Sequence, residues 1–237
     1  MSGACWAVLP AAGIGSRMGG ELPKQYREVA GATIFEHSLR ALLKCRQITA
    51  VVVALHAQDC HAAALAILAD SRVQTVVGGM QRSDSVQAGL QALSKQAAPD
   101  DWVLVHDAAR PCLPAQDTQR LITQVTASGT GGILAEPVVD TVKQAGADGL
   151  VEATLDRSTL WRAQTPQMFR LGELRRALDQ AMQQGLEITD EASAMEMAGY
   201  PVQLVAGSSR NLKVTVPADL ELAAWYLQEQ EVESRRS

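Results

Sequence analysis

The feature that most constrains the fold is a regular alternation of short apolar runs with amphipathic segments. Helix-period patterns lie between several of these runs. The alternation predicts an α/β fold: a single Rossmann-like domain with a mostly parallel sheet and helices on both faces. The six runs with strand-like composition are Trp6–Leu9, Ala50–Leu55, Gln74–Val77, Trp102–Val105, Gly132–Ala135 and Val202–Val205.

Capping residues mark where several helices begin and end. Thr33 is followed three positions later by Glu36, a capping-box pattern that predicts a helix from residue 34. Gly185 stands where a helix would end in a left-handed residue. Thr189 is expected to cap the next helix, and Pro217 to begin the last one.

One segment interrupts the alternation. The 237 residues are expected to form one domain, 1–237, from which residues 137–158 project as a β-arm. Two strand-like runs in this arm are joined by the turn sequence Gly-Ala-Asp-Gly at 146–149, which predicts a hairpin. The hairpin is too polar to bury itself alone. We therefore expect it to pack on another subunit.

Charge and composition exclude several classes of protein. The net charge of −5 argues against a general nucleic-acid binder, which would carry a basic stripe. No apolar stretch approaches the roughly 20 residues that cross a bilayer, and no signal-like segment opens the chain. The four cysteines lack C-x-x-C spacing, which disfavours a zinc knuckle or a thioredoxin-like site. We expect a cytoplasmic protein that contacts neither membrane nor nucleic acid.

A glycine-rich turn follows the first predicted strand. The sequence Gly13-Ile-Gly-Ser-Arg-Met-Gly19 places small residues where backbone N–H groups can bind a phosphate chain. A tight strand-to-helix turn would also require glycine. The dinucleotide fingerprint is incomplete, because Met18 replaces its third glycine and the second strand run ends at His56 without a carboxylate. The G-K-[ST] sequence of a P-loop is absent as well.

Two cations flank this turn, Arg17 and Lys24. The surrounding sequence resembles the cytidylyltransferase family of the non-mevalonate isoprenoid pathway, over most of the chain. The residues that carry the resemblance follow the pattern L-x-A-A-G-x-G-x-R-M…P-K-Q-Y: Leu9, Ala11, Ala12, Gly13, Gly15, Arg17, Met18, Pro23, Lys24, Gln25 and Tyr26.

The resemblance implies that CMP is transferred from CTP to 2-C-methyl-D-erythritol 4-phosphate, with release of pyrophosphate. The attacking phosphate oxygen is already anionic, so electrostatic stabilisation matters more than a general base. Arg17, with its planar fork, and Lys24, a mobile point charge, are the predicted catalytic residues. The residues expected to bind the nucleotide in this region are Pro10, Ala11, Ala12, Gly13 and Gly15.

A second signature, Trp102 to Pro111, places a carboxylate at the end of a strand. Open α/β sheets bind ligands at this edge, and Mg²⁺ prefers few carboxylates together with phosphate oxygens. Asp107 is therefore the predicted ligand of Mg²⁺ or another divalent cation. The resemblance implies that Ala108 contacts the nucleotide. Arg110 is expected either to contact the second substrate or to brace Asp107, and His106 to be structural.

The segment Gly78–Val86 resembles the family's G-G-x-x-R-x-x-S-V motif, which lines the cytosine pocket. The resemblance implies that Gly79 lets the base approach the backbone and that Ser85 hydrogen-bonds it. Met80 stands where some relatives have Asp, so a contact there would come from the backbone. Arg82 is interpreted as a helix-entry residue.

The resemblance also implies that the β-arm crosses to a second subunit. Thr141 and Arg157 of the arm would then help to hold the phosphate of the second substrate, and Lys213 would complete that phosphate site. The functional unit would be a homodimer with composite active sites. CTP and a polyol phosphate are the expected small-molecule partners.

Three alternatives remain open at this point. A sister family performs the same chemistry on ribitol 5-phosphate. An NAD-dependent oxidoreductase is disfavoured by Met18, by the missing acid after the second strand, and by the lack of a Tyr–Lys pair at catalytic spacing. A non-catalytic nucleotide-binding module would not require cations at Arg17, Lys24 and Lys213 together.

Overall fold

A seven-stranded sheet forms the centre of the molecule. The computed structural model describes residues 3–13 and 22–236. The strands of this part, in chain order, are β1 (Cys5–Pro10), β2 (Glu28–Val29), β3 (Ala32–Thr33), β4 (Ile48–Leu55), β5 (Val73–Val77), β6 (Trp102–Val105), β7 (Gly132–Pro137), β8 (Val142–Ala145), β9 (Val151–Leu155), β10 (Trp161–Arg170) and β11 (Gln203–Ala206).

Helices cover the sheet on both faces. They are α1 (Ile34–Leu43), α2 (Arg82–Leu93), α3 (Ala115–Ser128), α4 (Leu171–Gln183), α5 (Glu191–Met197) and α6 (Ala218–Arg236). Successive residues of a strand point to opposite faces. Leu9 of β1 accordingly packs in a core with α1 and α3, whereas its neighbour Val8 packs in a core with α2, α4 and α5.

The strand order is β11-β7-β10-β6-β1-β4-β5. Neighbouring strands are parallel except at β10, which runs antiparallel to both β6 and β7. The predicted mostly parallel α/β fold is confirmed. No apolar run in the sequence indicated β10, because its buried centre contains the segment Gln164-Thr165-Pro166-Gln167.

The predicted helix signals are confirmed with one correction. Thr33 accepts a hydrogen bond from the Glu36 N–H at 3.1 Å, and Glu36 accepts one from the Thr33 N–H at 2.9 Å. The cap of α5 is Asp190, not Thr189 as predicted, since the Asp190 carboxylate accepts from the Ser193 N–H at 2.9 Å. An ionised oxygen is the stronger acceptor at a helix N-terminus.

The inserted hairpin is present, with β8 and β9 paired antiparallel in a separate two-stranded sheet. Its apolar side chains are not covered within the chain. Val139 is 72% exposed, Leu150 68% and Val151 62%. The extent of a single domain over 1–237 stays a prediction. Among the described residues, no helix is both long and apolar enough to cross a bilayer.

We expect Gly89→Ala to destabilise the protein. Replacing Gly by Ala in a helix interior ordinarily stabilises the helix by about 1 kcal/mol. Here the added Cβ would lie 2.5 Å from Val8 Cγ1 on the central strand β1, and overpacking of this kind costs roughly 1–3 kcal/mol. Urea unfolding should show a net loss from Gly89→Ala, and a smaller loss when the same substitution is made in a Val8→Ala background. A gain in stability for the single variant would contradict the close packing of α2 on β1.

Candidate active site

A cleft opens at the carboxyl ends of β1 and β6, beside the N-terminus of α2. It collects side chains that are far apart in sequence. Of the residues predicted to form the site, those that line it are Pro10, Ala11, Ala12, Gly13, Lys24, Ser85, Asp107, Ala108 and Lys213. Gln25, Met80, Gln81, Arg82 and Ala109 also line it.

The loop before α2 lies against this cleft and requires its glycines. A Cβ on Gly79 would lie 2.2 Å from Asp84 Cβ, and one on Gly78 would lie 2.8 Å from Ala12 Cβ. The Gly79 N–H donates to Ser85 Oγ at 3.2 Å. The loop is thus fitted closely between α2 and the end of β1. Met80 at its tip is 98% exposed.

Asp107 is a buried carboxylate surrounded by three cations. Its Oδ1 lies 2.8 Å from Arg82 Nε, and its Oδ2 lies 2.9 Å from Lys213 Nζ and 3.6 Å from Arg110 Nε. Burial alone would raise the pKa of Asp107. The attraction of Arg82, Lys213 and Arg110 outweighs burial and holds this pKa well below its usual range. The carboxylate is therefore ionised throughout the pH range in which proteins work.

Arg82 joins Asp107 to a second buried carboxylate. Its Nη1 and Nη2 donate to the two carboxylate oxygens of Glu191 at 2.6 and 3.0 Å. Burial would lower the pKa of Arg82, but Glu191 and Asp107 more than compensate and raise it. Arg82 does begin α2, as the sequence indicated, yet its side chain belongs to the site. Glu191 lies 109 positions later in the chain, so no local sequence pattern indicates that the two residues pair.

The site carries an excess of positive charge. Arg82, Arg110 and Lys213 pair with two carboxylates, Asp107 and Glu191, and Asp190 adds a third carboxylate at the second, adjoining cleft. Lys24 adds a further cation at the cleft, where its Nζ donates to the Val214 carbonyl oxygen at 3.2 Å, next to Lys213. A chain with a net charge of −5 thus concentrates cations at one place. This arrangement favours an anionic ligand.

A second cleft adjoins the first and shares Arg82, Asp107 and Lys213 with it. Polar side chains from β10 and from the entry to α5 supply most of its remaining wall: Gln164, Thr165, Gln167, Thr189 and Asp190, together with Arg110 and Ala163. A wall of amides, hydroxyls and cations suits a hydroxylated, phosphorylated molecule.

The loop that carries Lys213 is fastened to the core by Asn211. The Asn211 Nδ2 donates to the Thr165 carbonyl oxygen at 2.7 Å. The main-chain carbonyl oxygen of Asn211 accepts from Arg110 Nη1, also at 2.7 Å. Arg110 therefore braces both Asp107 and this loop, which is one of the two roles expected for it. Because Arg110 also lines the second cleft, contact with a second substrate stays a prediction.

His106 holds the other side of Asp107 through Thr165. The Asp107 N–H donates to Thr165 Oγ1 at 3.0 Å, and Thr165 Oγ1 lies 3.0 Å from His106 Nδ1. His106 Nε2 lies 3.2 Å from the Arg110 carbonyl oxygen, which only accepts. Nε2 must therefore carry the proton, and Nδ1 accepts from the Thr165 hydroxyl. Burial lowers the pKa of this neutral histidine to about 4.

Comparison with known proteins identifies the family. The model of the family described as 2-C-methyl-D-erythritol 4-phosphate cytidylyltransferase (IspD) matches residues 5–229. The chain belongs to this cytidylyltransferase family. It is therefore an enzyme, a nucleotidyltransferase.

Curated relatives in this family align over nearly the whole chain. The cytidylyltransferase of Pseudomonas entomophila (strain L48) is 51% identical over 219 residues, which cover 92% of this chain and 93% of the relative. That of Vibrio vulnificus (strain CMCP6) is 51% identical over 221 residues, with 93% of each chain covered.

Solved structures of the family share the fold. A crystal structure of 4-diphosphocytidyl-2C-methyl-D-erythritol synthase superposes with a TM-score of 0.82 at 39% identity, over 96% of this chain and all of the other. The Francisella tularensis cytidylyltransferase superposes with a TM-score of 0.79 at 36% identity, over 94% of this chain and 99% of the other.

Several residues predicted for a cytidylyltransferase site are either beyond the described part of the chain or not part of the lining of the two clefts. Gly15 and Arg17 fall outside the described residues. Gly79, Thr141 and Arg157, all described, line neither cleft of this chain. Arg157 instead donates through Nη1 to the Val139 carbonyl oxygen within the arm. Contacts of these residues with substrate stay predictions.

The metal role predicted for Asp107 meets a specific constraint. Within residues 3–13 and 22–236, no group of three or more His, Cys, Asp or Glu side chains is placed to hold a metal. Mg²⁺ requires only one or two carboxylates when phosphates supply further oxygens. Asp107 fits that requirement only if Lys213, whose side chain is 41% exposed, leaves Oδ2. The role stays a prediction.

The buried His106 should make stability depend on pH. Its folded-state pKa of about 4 lies below the ordinary 6.5, so the unfolded chain binds more protons between these values. Its contribution is complete above pH 6.5 and is lost as the pH falls towards 4, by roughly 3 kcal/mol in all. Urea unfolding from pH 7 to pH 5 should show a shallower loss of stability in His106→Gln. Equal slopes for the two proteins would contradict a neutral, buried imidazole.

Proposed function

We propose that the chain transfers CMP from CTP to 2-C-methyl-D-erythritol 4-phosphate, giving the CDP-alcohol and pyrophosphate, a step in isoprenoid precursor formation by the non-mevalonate pathway. The observation that carries the proposal is the pair of adjoining clefts that share Arg82, Asp107 and Lys213 and carry excess positive charge. The nucleotide occupies the first cleft and the phosphorylated polyol the second. The names of the curated relatives agree with this reaction.

The first cleft binds the nucleotide with backbone groups and cations. Ser85 lines this cleft and faces the cytosine, with a hydroxyl that both donates and accepts. Gly79, whose N–H donates to Ser85 Oγ, lies beside it and lets the base approach the backbone. The triphosphate follows Ala12 and Gly13, just after β1. Lys24, which lines this cleft, is placed to neutralise it. Arg17 contributes a second cation from the glycine-rich turn.

The reaction requires positioning and charge stabilisation more than proton transfer. An oxygen of the substrate phosphate forms a bond to the α-phosphorus of CTP, and the bond from that phosphorus to the bridging oxygen of pyrophosphate breaks. The attacking oxygen is already ionised, so no base has to remove a proton. Lys213, at the junction of the clefts, aligns this phosphate. Lys24 and Arg17 stabilise charge on the transferring group.

Mg²⁺ or another divalent cation is the proposed cofactor. When bound, it would neutralise the triphosphate and favour departure of pyrophosphate. Asp107 is the side chain proposed to ligate it, and the phosphates and water would provide the other oxygens. When Asp107 ligates the cation, Lys213 would leave Asp107 and pair with the substrate phosphate instead.

The functional unit is proposed to be a cytoplasmic homodimer joined through the β-arm. The exposed apolar side chains of Val139, Leu150 and Val151 provide a surface for a second copy. Thr141 and Arg157 lie on this arm and line neither cleft of their own chain. In the dimer they would complete the phosphate site of the other subunit.

An assay of pyrophosphate release tests the reaction. The purified protein receives CTP and MgCl₂ with 2-C-methyl-D-erythritol 4-phosphate, with ribitol 5-phosphate, or with neither acceptor. We expect release only with the first acceptor. Preference for ribitol 5-phosphate would move the protein to the sister activity. CTP binding without turnover on either acceptor would indicate a nucleotide-binding module, and hydride transfer with NAD would indicate an oxidoreductase.

Mixing two inactive variants tests the composite site. Lys24→Ala disables the cleft and Arg157→Ala disables the arm, so each homodimer should be nearly inactive. A mixed dimer joins one intact cleft to one intact arm. After co-expression half of the dimers are mixed and each has one working site of two, so about a quarter of wild-type activity should return. No recovery would show that each arm serves its own chain.

A further inference from the structure

The buried ion pair of Arg82 and Glu191 affects where Lys213 can lie. The Glu191 side chain is 1% exposed and the Arg82 side chain 30%. Burying such a pair removes two charges from water, and apolar side chains of similar volume often stabilise a protein as well or better. This pair differs from an ordinary core contact because its Arg82 lines both clefts. A role in the site, and not only in stability, therefore has to be considered.

Four charged groups of alternating sign form a chain towards the clefts: Glu191, Arg82, Asp107 and Lys213. Arg82 uses its terminal nitrogens on Glu191 and only Nε on Asp107 Oδ1, at 2.8 Å. The other oxygen, Oδ2, is thereby left for Lys213 at 2.9 Å. The placement of Lys213 depends on Arg82 not occupying both oxygens of Asp107.

Glu191 is held rigidly enough to set the position of Arg82. Gln167, 1% exposed, fastens the residues on both sides of Glu191. Its Nε2 donates to Asp190 Oδ2 at 2.8 Å, and its Oε1 accepts from the Ala192 N–H at 2.8 Å. The Glu191 carboxylate therefore has little freedom to follow Arg82.

We propose that Glu191 is a positioning residue that acts through Arg82 and Asp107 to keep Lys213 at the junction of the two clefts. In Glu191→Gln only one of the two terminal nitrogens of Arg82 keeps an acceptor, and the other faces the N–H donors of an amide in a buried place. The nearest remaining carboxylate is Asp107, which the guanidinium can grip with both arms of its fork. Lys213 is then displaced from Oδ2.

A structure of Glu191→Gln tests the proposal without reference to catalysis. We expect Arg82 to bind both oxygens of Asp107 and Lys213 Nζ to lie beyond the roughly 4 Å limit of an ion pair. A Lys213–Asp107 pair that keeps its position in the variant would overturn the proposal. Because this measurement needs no turnover, its failure is distinguishable from a failure of the proposed function.

Kinetics give a second readout, which rests on the proposed function. Glu191→Gln should lower kcat/KM for the polyol phosphate roughly 10- to 100-fold and leave CTP affinity nearly unchanged. In a Lys213→Met background the same substitution should have little further effect, since both act through one contact. Glu36→Gln, which removes the ion pair with Arg40 and leaves an amide oxygen that can still accept from the Thr33 N–H, is the matched control outside both clefts. Additive effects of Glu191→Gln and Lys213→Met would contradict the proposal.

A double variant keeps the test decisive if Glu191→Gln does not fold. Arg82→Met/Glu191→Met removes the whole buried pair, an exchange that such pairs often tolerate. It also removes the group that would displace Lys213, so Lys213 should remain on Asp107 in its structure. We expect its kcat/KM for the polyol phosphate to exceed that of Lys213→Met roughly 10-fold. Loss of the Lys213–Asp107 pair in this variant would overturn the proposal.

Discussion

The site depends on one ionised, buried carboxylate that holds three cations together. Arg82, Arg110 and Lys213 would repel one another strongly at these distances in a poorly solvated place. Asp107 lies within 2.8 to 3.6 Å of each and offsets that repulsion. The remaining excess of positive charge is what the cleft offers to a triphosphate and a phosphorylated acceptor. Without Asp107, the mutual repulsion of the three cations would drive them apart.

The sheet supplies the place for this carboxylate. β6 delivers Asp107 to the edge where β1 and α2 also end, and the antiparallel β10 brings Thr165 beneath it. Hydrogen bonds that involve Thr165, Asn211 and the neutral His106 then fix the surrounding loops. Incomplete polar networks are costly in a buried place. Two buried atoms of this network, Arg110 Nε and Asn211 Oδ1, have no hydrogen-bond partner, and Arg110 Nε instead lies 3.6 Å from Asp107 Oδ2.

Charge placement also distinguishes this protein from other users of a similar fold. Dinucleotide-binding and nucleotidyl-transferring proteins both place phosphates at the carboxyl edge of a parallel sheet. Here β4 ends at Leu55 without the acid that would hold a ribose. Lys24 instead donates to the carbonyl oxygen of Val214, which lies 190 positions later in the chain, next to Lys213. The reaction therefore follows from which side chains meet at the edge, and the fold alone does not decide it.

Local patterns in the sequence determined the strand-and-helix alternation, the capping box at Thr33, the hairpin arm and the role of Asp107 as a strand-end carboxylate. Each depends on neighbours within a few residues, which the sequence displays directly. The tertiary structure alone decided that β10 runs antiparallel through a polar centre, and that Asp190 rather than Thr189 caps α5. It alone also showed that Arg82 is shared between Asp107 and Glu191. The physical reason is that buried polar groups pair with residues that are distant in sequence. Local composition does not identify these partners.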